Sequence, residues 1–353
     1  MVTIDTIVAY TLNGIVLGSI LALAAIGLTL VYGILNLSNF AHGDYLTLGA
    51  YLAFLFNVTM PHEDSLQWAL AIGLLLAGVA LAAWVTKRWL SPSERIVCLV
   101  AGGVLLAFAA VQMLGVTAAP DFLRSPFMLA AVLSIVLLPL FAIGLDFAIW
   151  KPLRKKRATV LTLIIVSIGV ALALRNLIAL YFGSGLMSYA RPVEPPVFIG
   201  GYILRQTQVY ALITAAVLIL AVHLFLRYTR AGKALRALSD NIELARVTGI
   251  DVDRMILYVW ALAGGLAAIA GILLAMNVNL NVNLGWYIIL PTFAAVILGG
   301  IGSAYGAMAG ALVLGIAWEL STIWSSAYRP ASAFIVLILV LLIRPQGIFG
   351  GKA

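Results

Sequence analysis

Five hydrogen-bonding side chains fall within residues 36–44: Asn36, Ser38, Asn39, His42 and Asp44. They come directly after one long apolar stretch and before a shorter one. His42 and Asp44 are residue types that carry acid–base chemistry or relay protons, whereas the amides of Asn36 and Asn39 suit a neutral or zwitterionic solute. The rest of the chain argues against catalysis. It has three histidines and one cysteine, no paired Ser or Cys nucleophile motif and no metal-ligand spacing, so neither a catalytic residue nor a metal site is assigned. Ionisable groups at membrane depth usually face a bundle interior or an aqueous cavity. Asn36, Asn39, His42 and Asp44 are therefore candidates for lining a translocation pathway on a discontinuous helix. A polar inner loop, in which Ser38 or Asn39 merely caps the next helix, is the other reading of the same residues.

A second polar island covers Asp240–Gly249, where a short amphipathic helix is expected. Asp240 and Glu243 have the spacing of a capping box, and Gly249 supplies the left-handed residue that ends a helix. A basic run precedes it (Arg227, Arg230, Lys233, Arg236), Arg246 lies within it and Arg254 follows. Lys and Arg stay on the cytoplasmic side of a membrane, which puts the island there. A capped helix between two spans is suited to docking. Nucleotide chemistry has no place in the chain itself. A phosphate-binding loop needs Gly, four residues, then Gly-Lys-Ser/Thr, whereas Gly232-Lys233-Ala and Gly351-Lys352-Ala both lack the hydroxyl that would hold magnesium. No cofactor is expected here, and ATP with its Mg would sit on a partner.

The elements that must position these islands follow from composition. With 64% hydrophobic and 10% charged residues over 353 positions, the chain is an all-α polytopic membrane protein. Apolar stretches long enough to cross a bilayer, about 20 residues each, lie at roughly 7–33, 66–86, 96–117, 127–150, 158–182, 207–226, 252–276, 303–325 and 331–343. Shorter ones lie near 40–58 and 286–300. The N-terminus lacks the positive region and cleavage site of a removable signal, so the first stretch is expected to stay as a span. The single Cys98 excludes an internal disulfide.

Basic residues set the orientation. Lys87, Arg88 and Arg95 form one cluster, Lys151 and Arg154–Arg157 a second, residues 227–250 a third, and Arg344 with Lys352 the tail. Even numbers of candidate spans separate neighbouring clusters, which puts the N-terminus outside and the C-terminus inside. The net charge of +8 reads as topology plus anionic lipid headgroups, not nucleic acid. The longest polar intervals, roughly 183–205 and 227–250, are too short to bury a core, so residues 1–353 form one transmembrane domain. The outer interval, with Arg191, Pro192, Glu194, Pro195 and Pro196, is a rigid connector or a docking surface for an external protein.

Glycines and isolated polar residues complete the pattern. Gly14 with Gly18, and Gly302, Gly306 and Gly310, leave bare helix faces for close packing. Gly299, Gly300 and Gly302 also break a helix, and with Gly306 they are hinge candidates. Arg175-Asn176 and Glu319 are expected to be structurally paired. The alternation from Asn277 to Asn283 predicts an extended outer segment.

Several motifs together resemble the inner-membrane permeases of branched-chain amino acid ABC transporters. They are Gly27-Leu-Thr-Leu-Val-Tyr-Gly33, Asn39-Phe-Ala-His-Gly43-Asp44, Gly49-Ala-Tyr51, Ala237 through Arg254, Leu298-Gly-Gly-Ile-Gly-Ser303 and the closing Pro345-Gln-Gly-Ile-Phe. Glu243, Ala245 and Gly249 resemble the Glu-Ala-Ala-three residues-Gly coupling motif that ABC importer permeases present to their ATPases, with Leu244 departing at the second position. The resemblance implies a helical ABC importer permease in a bacterial inner membrane. It would pair with a second homologous permease, two ATPase subunits and a periplasmic solute-binding protein. Arg236, Asp240, Glu243, Ala245 and Gly249 would carry the coupling. An extra hydrophobic hairpin within 52–150 departs from the family pattern. A urea or short-amide permease has similar fingerprints, and an ion-coupled carrier would have only Asp44 and His42 as its proton site.

Overall fold

The computed structural model of the chain describes residues 3–59, 126–189, 195–199 and 201–349. Two of the expected spans (66–86 and 96–117), the extra hairpin, the Lys87–Arg95 cluster, Cys98, Arg191–Glu194 and Lys352 lie outside the described residues.

Helix α1 runs Ile4–Leu35, capped by the Thr3 side chain accepting from Thr6 N and ended by Asn36 in the left-handed region (φ 48°). After a non-helical stretch, α2 covers Ala41–Thr59. Helix α3 (Pro126–Leu145) passes through one π-helical turn, Asp146–Trp150, into the short α4, Lys151–Lys155. Helix α5 spans Val160–Phe182. A hairpin of β1 (Val197–Ile199) and β2 (Tyr202–Leu204) precedes α6, Gln206–Tyr228. Then come α7 (Arg230–Asp240), α8 (Ile242–Val247) and α9 (Val252–Val278). Helices α10 (Leu284–Gly299), α11 (Ala304–Ser321) and α12 (Arg329–Ile343) complete the bundle. Seven helices among the described residues are long and apolar enough to cross a membrane. The all-helical polytopic architecture read from composition is the one observed.

Helix α1 is the central element, packing on α11, α9, α10 and α6, while α2 packs on α9, α3, α10 and α5. The glycines explain how backbones come this close. A Cβ on Gly14 would stand 2.6 Å from Ile316 Cα, and one on Gly285 would run into the Gly43 carbonyl. Without a hydrophobic drive between helices in lipid, such backbone approach supplies the van der Waals contact that holds them. Outer helices keep exposed apolar faces, including Leu161, Ile165 and Leu180 on α5, Val217 and Leu220 on α6, and Ile338 and Leu342 on α12.

One end of the bundle collects the basic segments. Lys151 Nζ lies 3.6 Å from Asp253 at the start of α9. The tail returns there too, with Ile348 N donating to Leu298 O and Phe349 N to Gly299 O. The other end holds the β-hairpin, where Tyr202 donates to Asp5, and the antiparallel bridge between Met187 and Leu280.

Two local expectations need correction. Residues 240–249 are not one helix: Asp240 is the last residue of α7, and Asn241 (φ −160°) turns the chain and caps α8, its side chain accepting from Leu244 N at 2.9 Å. Asp240 cannot cap because its own backbone is already spent in the preceding helix. The extended segment is shorter than the period-two pattern suggested, since α9 continues through Val278 and only Asn279 (φ 69°) to Asn283 leave the helix. Packing of α9 against α1, α2 and α3 overrides the local alternation there. The break at 299–303 lies at the basic end of the bundle and joins two antiparallel helices, with Gly300 and Gly302 both at positive φ (100° and 87°).

Candidate functional site

Helix α2 does not start where α1 ends. His42 Nε2 is 3.0 Å from Ala24 O, so α2 begins beside the Ala24–Gly27 turn, about three helical turns back along α1. Residues 36–40 climb that distance in non-helical conformation inside the bundle, and α5 receives them. Phe40 N donates to Ser167 Oγ at 3.2 Å, and Ser167 Oγ lies 3.2 Å from Ser38 O. Irregular backbone at this depth is tolerable because protein groups satisfy it.

The structure brings Asn39, His42 and Asp44 into the interior. All three are buried, whereas Asn36 stands at the α1 end. Asp44 is neutralised by Arg175 on α5, whose Nε and second terminal nitrogen lie 3.1 and 3.0 Å from the two carboxylate oxygens. The guanidinium also stacks over the Trp286 ring at 4.4 Å. The expected structural pairing of Arg175 is thus met by a residue placed among the pathway candidates. Glu319 likewise pairs with Arg329, at 3.4 Å. Asn39, Tyr45 and Trp150 turn their polar atoms toward one another without closing a hydrogen bond of good length and angle. His42 and Asp44 are not bonded to each other, and among the described residues no group of three His, Cys, Asp or Glu could hold a metal. This is a polar seam between helices.

Sequence reasoning missed a second seam. Asp146, buried in the π-helical turn, accepts from both terminal nitrogens of Arg154 (2.7 and 3.0 Å) and from Trp260 Nε1 on α9 (2.8 Å). Its signal was available: a lone carboxylate inside an otherwise apolar stretch, five residues before a basic cluster. Trp150 stacks on Trp260, and Tyr45 meets Trp260 edge-on, joining this seam to the start of α2.

At the basic end, α7 and α8 form a ledge between α6 and α9. Ala245 is buried, but Leu244 and Val247 are 62% and 84% exposed beside exposed Glu243. Gly249 (φ 88°) ends α8, its N–H donating to Arg246 O while Ile250 N donates to Ala245 O. Lys233, Arg236, Ser239 and Asp240 line a crevice of about 530 Å³ whose opposite wall is the Gly302–Tyr305 turn and whose floor is α1. The hinge candidates cluster against one another: a Cβ on Gly299 would strike Gly306 O, and Gly300 and Gly302 form the turn itself.

Apolar helices with a polar interior, a helix that restarts inside the bundle and a ledge at the basic end define a polytopic helical membrane permease. The family model described as branched-chain amino acid transport system, permease component, matches residues 10–100 and 93–344. The chain belongs to that family. It is 30% identical over 350 residues to the high-affinity branched-chain amino acid transport system permease protein LivH of Salmonella typhimurium, covering 96% of this chain and 94% of that protein. The corresponding BraD protein of Pseudomonas aeruginosa is 28% identical, with the same coverage. The ribose import permease protein RbsC of Escherichia coli is 32% identical over 136 residues, 36% of this chain and 42% of that protein. No solved structure matches the chain.

Proposed function

We propose that this chain is the permease subunit of an ATP-driven importer for branched-chain or other neutral amino acids. The observation that carries the reading is the ledge. A short helix with exposed Glu243, Leu244 and Val247 sits between two spans at the end where the basic residues gather, and nothing among the described residues covers its apolar positions. Two ATPase subunits would dock there, a second homologous permease would complete the pathway, and a periplasmic solute-binding protein would deliver substrate. ATP and Mg would reside on the partners. The protein would lie in a bacterial inner membrane with its N-terminus outside and its C-terminus in the cytoplasm.

The test is uptake by the assembled complex. Valine at position 249 must take a positive φ, which for a β-branched residue carries strain of about 1–3 kcal/mol, yet no atom of the described residues stands within 4 Å of the new Cβ. Gly249→Val should therefore leave insertion intact while weakening ATPase association and ATP-dependent uptake of labelled leucine. Normal transport-coupled ATPase activity in that variant would contradict the docking assignment. Preference for labelled urea over leucine would reassign the substrate.

His42→Gln separates this reading from an ion-coupled carrier. Glutamine can still donate to Ala24 O, but it cannot relay a proton. Uptake in this variant is expected to persist and to stay dependent on ATP. Its abolition in an assembled complex, together with loss of wild-type uptake when the proton gradient is dissipated at constant ATP, would favour the carrier.

A further inference from the structure

We propose that Ser239, the penultimate residue of α7, is a positioning residue through which the docking ledge sets the end of α1 and the α10–α11 turn. The inference rests on the docking role given to the ledge above. Helix α8 packs on α7 and α9, and α7 in turn reaches α1, so a push on α8 enters the bundle largely by way of α7. A Cβ on Gly33 would lie 3.0 Å from Ser239 Oγ and 3.3 Å from Gly302 Cα. Three elements thus meet at one serine and two glycines, with Ser239 and Gly302 on the edge of the crevice, and the side chain that joins them is the short one of Ser239.

The flanking geometry makes this contact directional. Helix α7 folds back on α6 so tightly that a Cβ on Gly232 would stand 2.6 Å from Leu226 Cα, and its first turn is fixed by Thr229 Oγ1 accepting from Gly232 N at 2.9 Å. Its free end, at Ser239, is the end that touches α1. Gly33 is three residues before Asn36, where α1 stops and the buried 36–44 segment begins. On the other side, Gly302 N donates to Thr29 Oγ1 at 3.2 Å, and the tail bonds to Leu298 and Gly299. A shift of α7 by a fraction of an ångström would therefore reach the α1–α2 break and the α10–α11 turn together. Close-packed contacts of this kind transmit displacement because they cannot deform continuously.

The experiment uses the complete complex, reconstituted with its ATPase partners and binding protein, and measures leucine uptake and ATP hydrolysis in the same vesicles. Gly33→Ala wedges a methyl group into the contact. Uptake per ATP hydrolysed is expected to fall by about fivefold or more, the lower end of ordinary coupling between sites, while ATPase co-purification is unchanged. Ser239→Gly removes Oγ, the nearer of the two opposing atoms, and leaves Gly302 Cα in place; having deleted the contact, it should lower the ratio on its own and should not restore it in the Gly33→Ala background. Gly14→Ala, a comparable overpacking of α1 against α11 at the other end, should reduce assembly and both activities together. Parallel loss of uptake and hydrolysis in Gly33→Ala, or an unchanged ratio of uptake to hydrolysis in Ser239→Gly alone, would overturn the proposal.

Should Gly33→Ala not assemble, a disulfide between Gly33→Cys and Ser239→Cys, with Cys98 replaced by serine, gives a second reading. Oxidation is expected to stop uptake and reductant to restore it, and unchanged uptake by the cross-linked complex would refute the inference. A wild-type complex that fails to bind the ATPases at all would instead remove the docking role itself, so the two failures are separable.

Discussion

Arg175→Met is expected to destabilise the protein by about 3–5 kcal/mol, the usual consequence of leaving one member of a buried ion pair without its partner. The carboxylate left behind, Asp44, is 1% exposed, and its two charge-assisted bonds both come from Arg175. No reorientation at that depth returns it to water. Methionine keeps much of the stem that packs beside Trp286 but loses the cation–π contact. The double variant Asp44→Leu/Arg175→Met should recover most of the loss, because replacing both partners of a buried pair with apolar groups is often neutral. Thermal unfolding in detergent, followed by the monodisperse fraction, reads both. An unchanged midpoint in Arg175→Met would mean that the pair contributes no stability. Recovery of stability without recovery of uptake in the double variant would show that Asp44 serves transport as well as packing.

The Asp146 seam should respond asymmetrically. Arg154→Leu leaves Asp146, with a side chain 2% exposed, held among the described residues only by Trp260, and a cost of about 3–5 kcal/mol is again expected. Asp146→Asn removes the charge but keeps an acceptor for the indole, and Arg154, 22% exposed at the basic end, can turn its head to the interface. Its cost should stay near that of a lost charged hydrogen bond, about 1.5–3 kcal/mol. The same unfolding measurement in the two variants decides. Equal losses would show that Arg154, too, is trapped without water, and a larger loss in Asp146→Asn would reverse the assignment of which charge is the buried one.

These two pairs show where reading the chain by itself succeeded and where it stopped. Composition alone determined the class, because 64% apolar residues leave the backbone of each span no partner in lipid except its own helix. The helices fell within a few residues of the apolar stretches, as with Val160–Phe182 against the expected 158–182. Caps with unambiguous local chemistry, such as the left-handed Gly249, were legible because φ is a property of one residue. Asn241 was not legible as the cap of α8: Asp240 and Asn241 are equally good capping types, and the choice depended on how far the preceding helix ran.

What remained for the tertiary structure was pairing across distance. Asp44 and Arg175 are separated by 131 residues, and nothing local tells a carboxylate that lines an aqueous route from one neutralised by a guanidinium on another helix. The depth at which α2 restarts was also undecidable from the chain, since it is fixed by His42 meeting Ala24 and by α5 receiving residues 38–40. The glycine faces announced close packing but not their partners. Gly43 found Gly285 and Gly33 found Ser239 and Gly302, because helix contacts in a membrane are selected by shape complementarity between surfaces, which exists only once the bundle has formed.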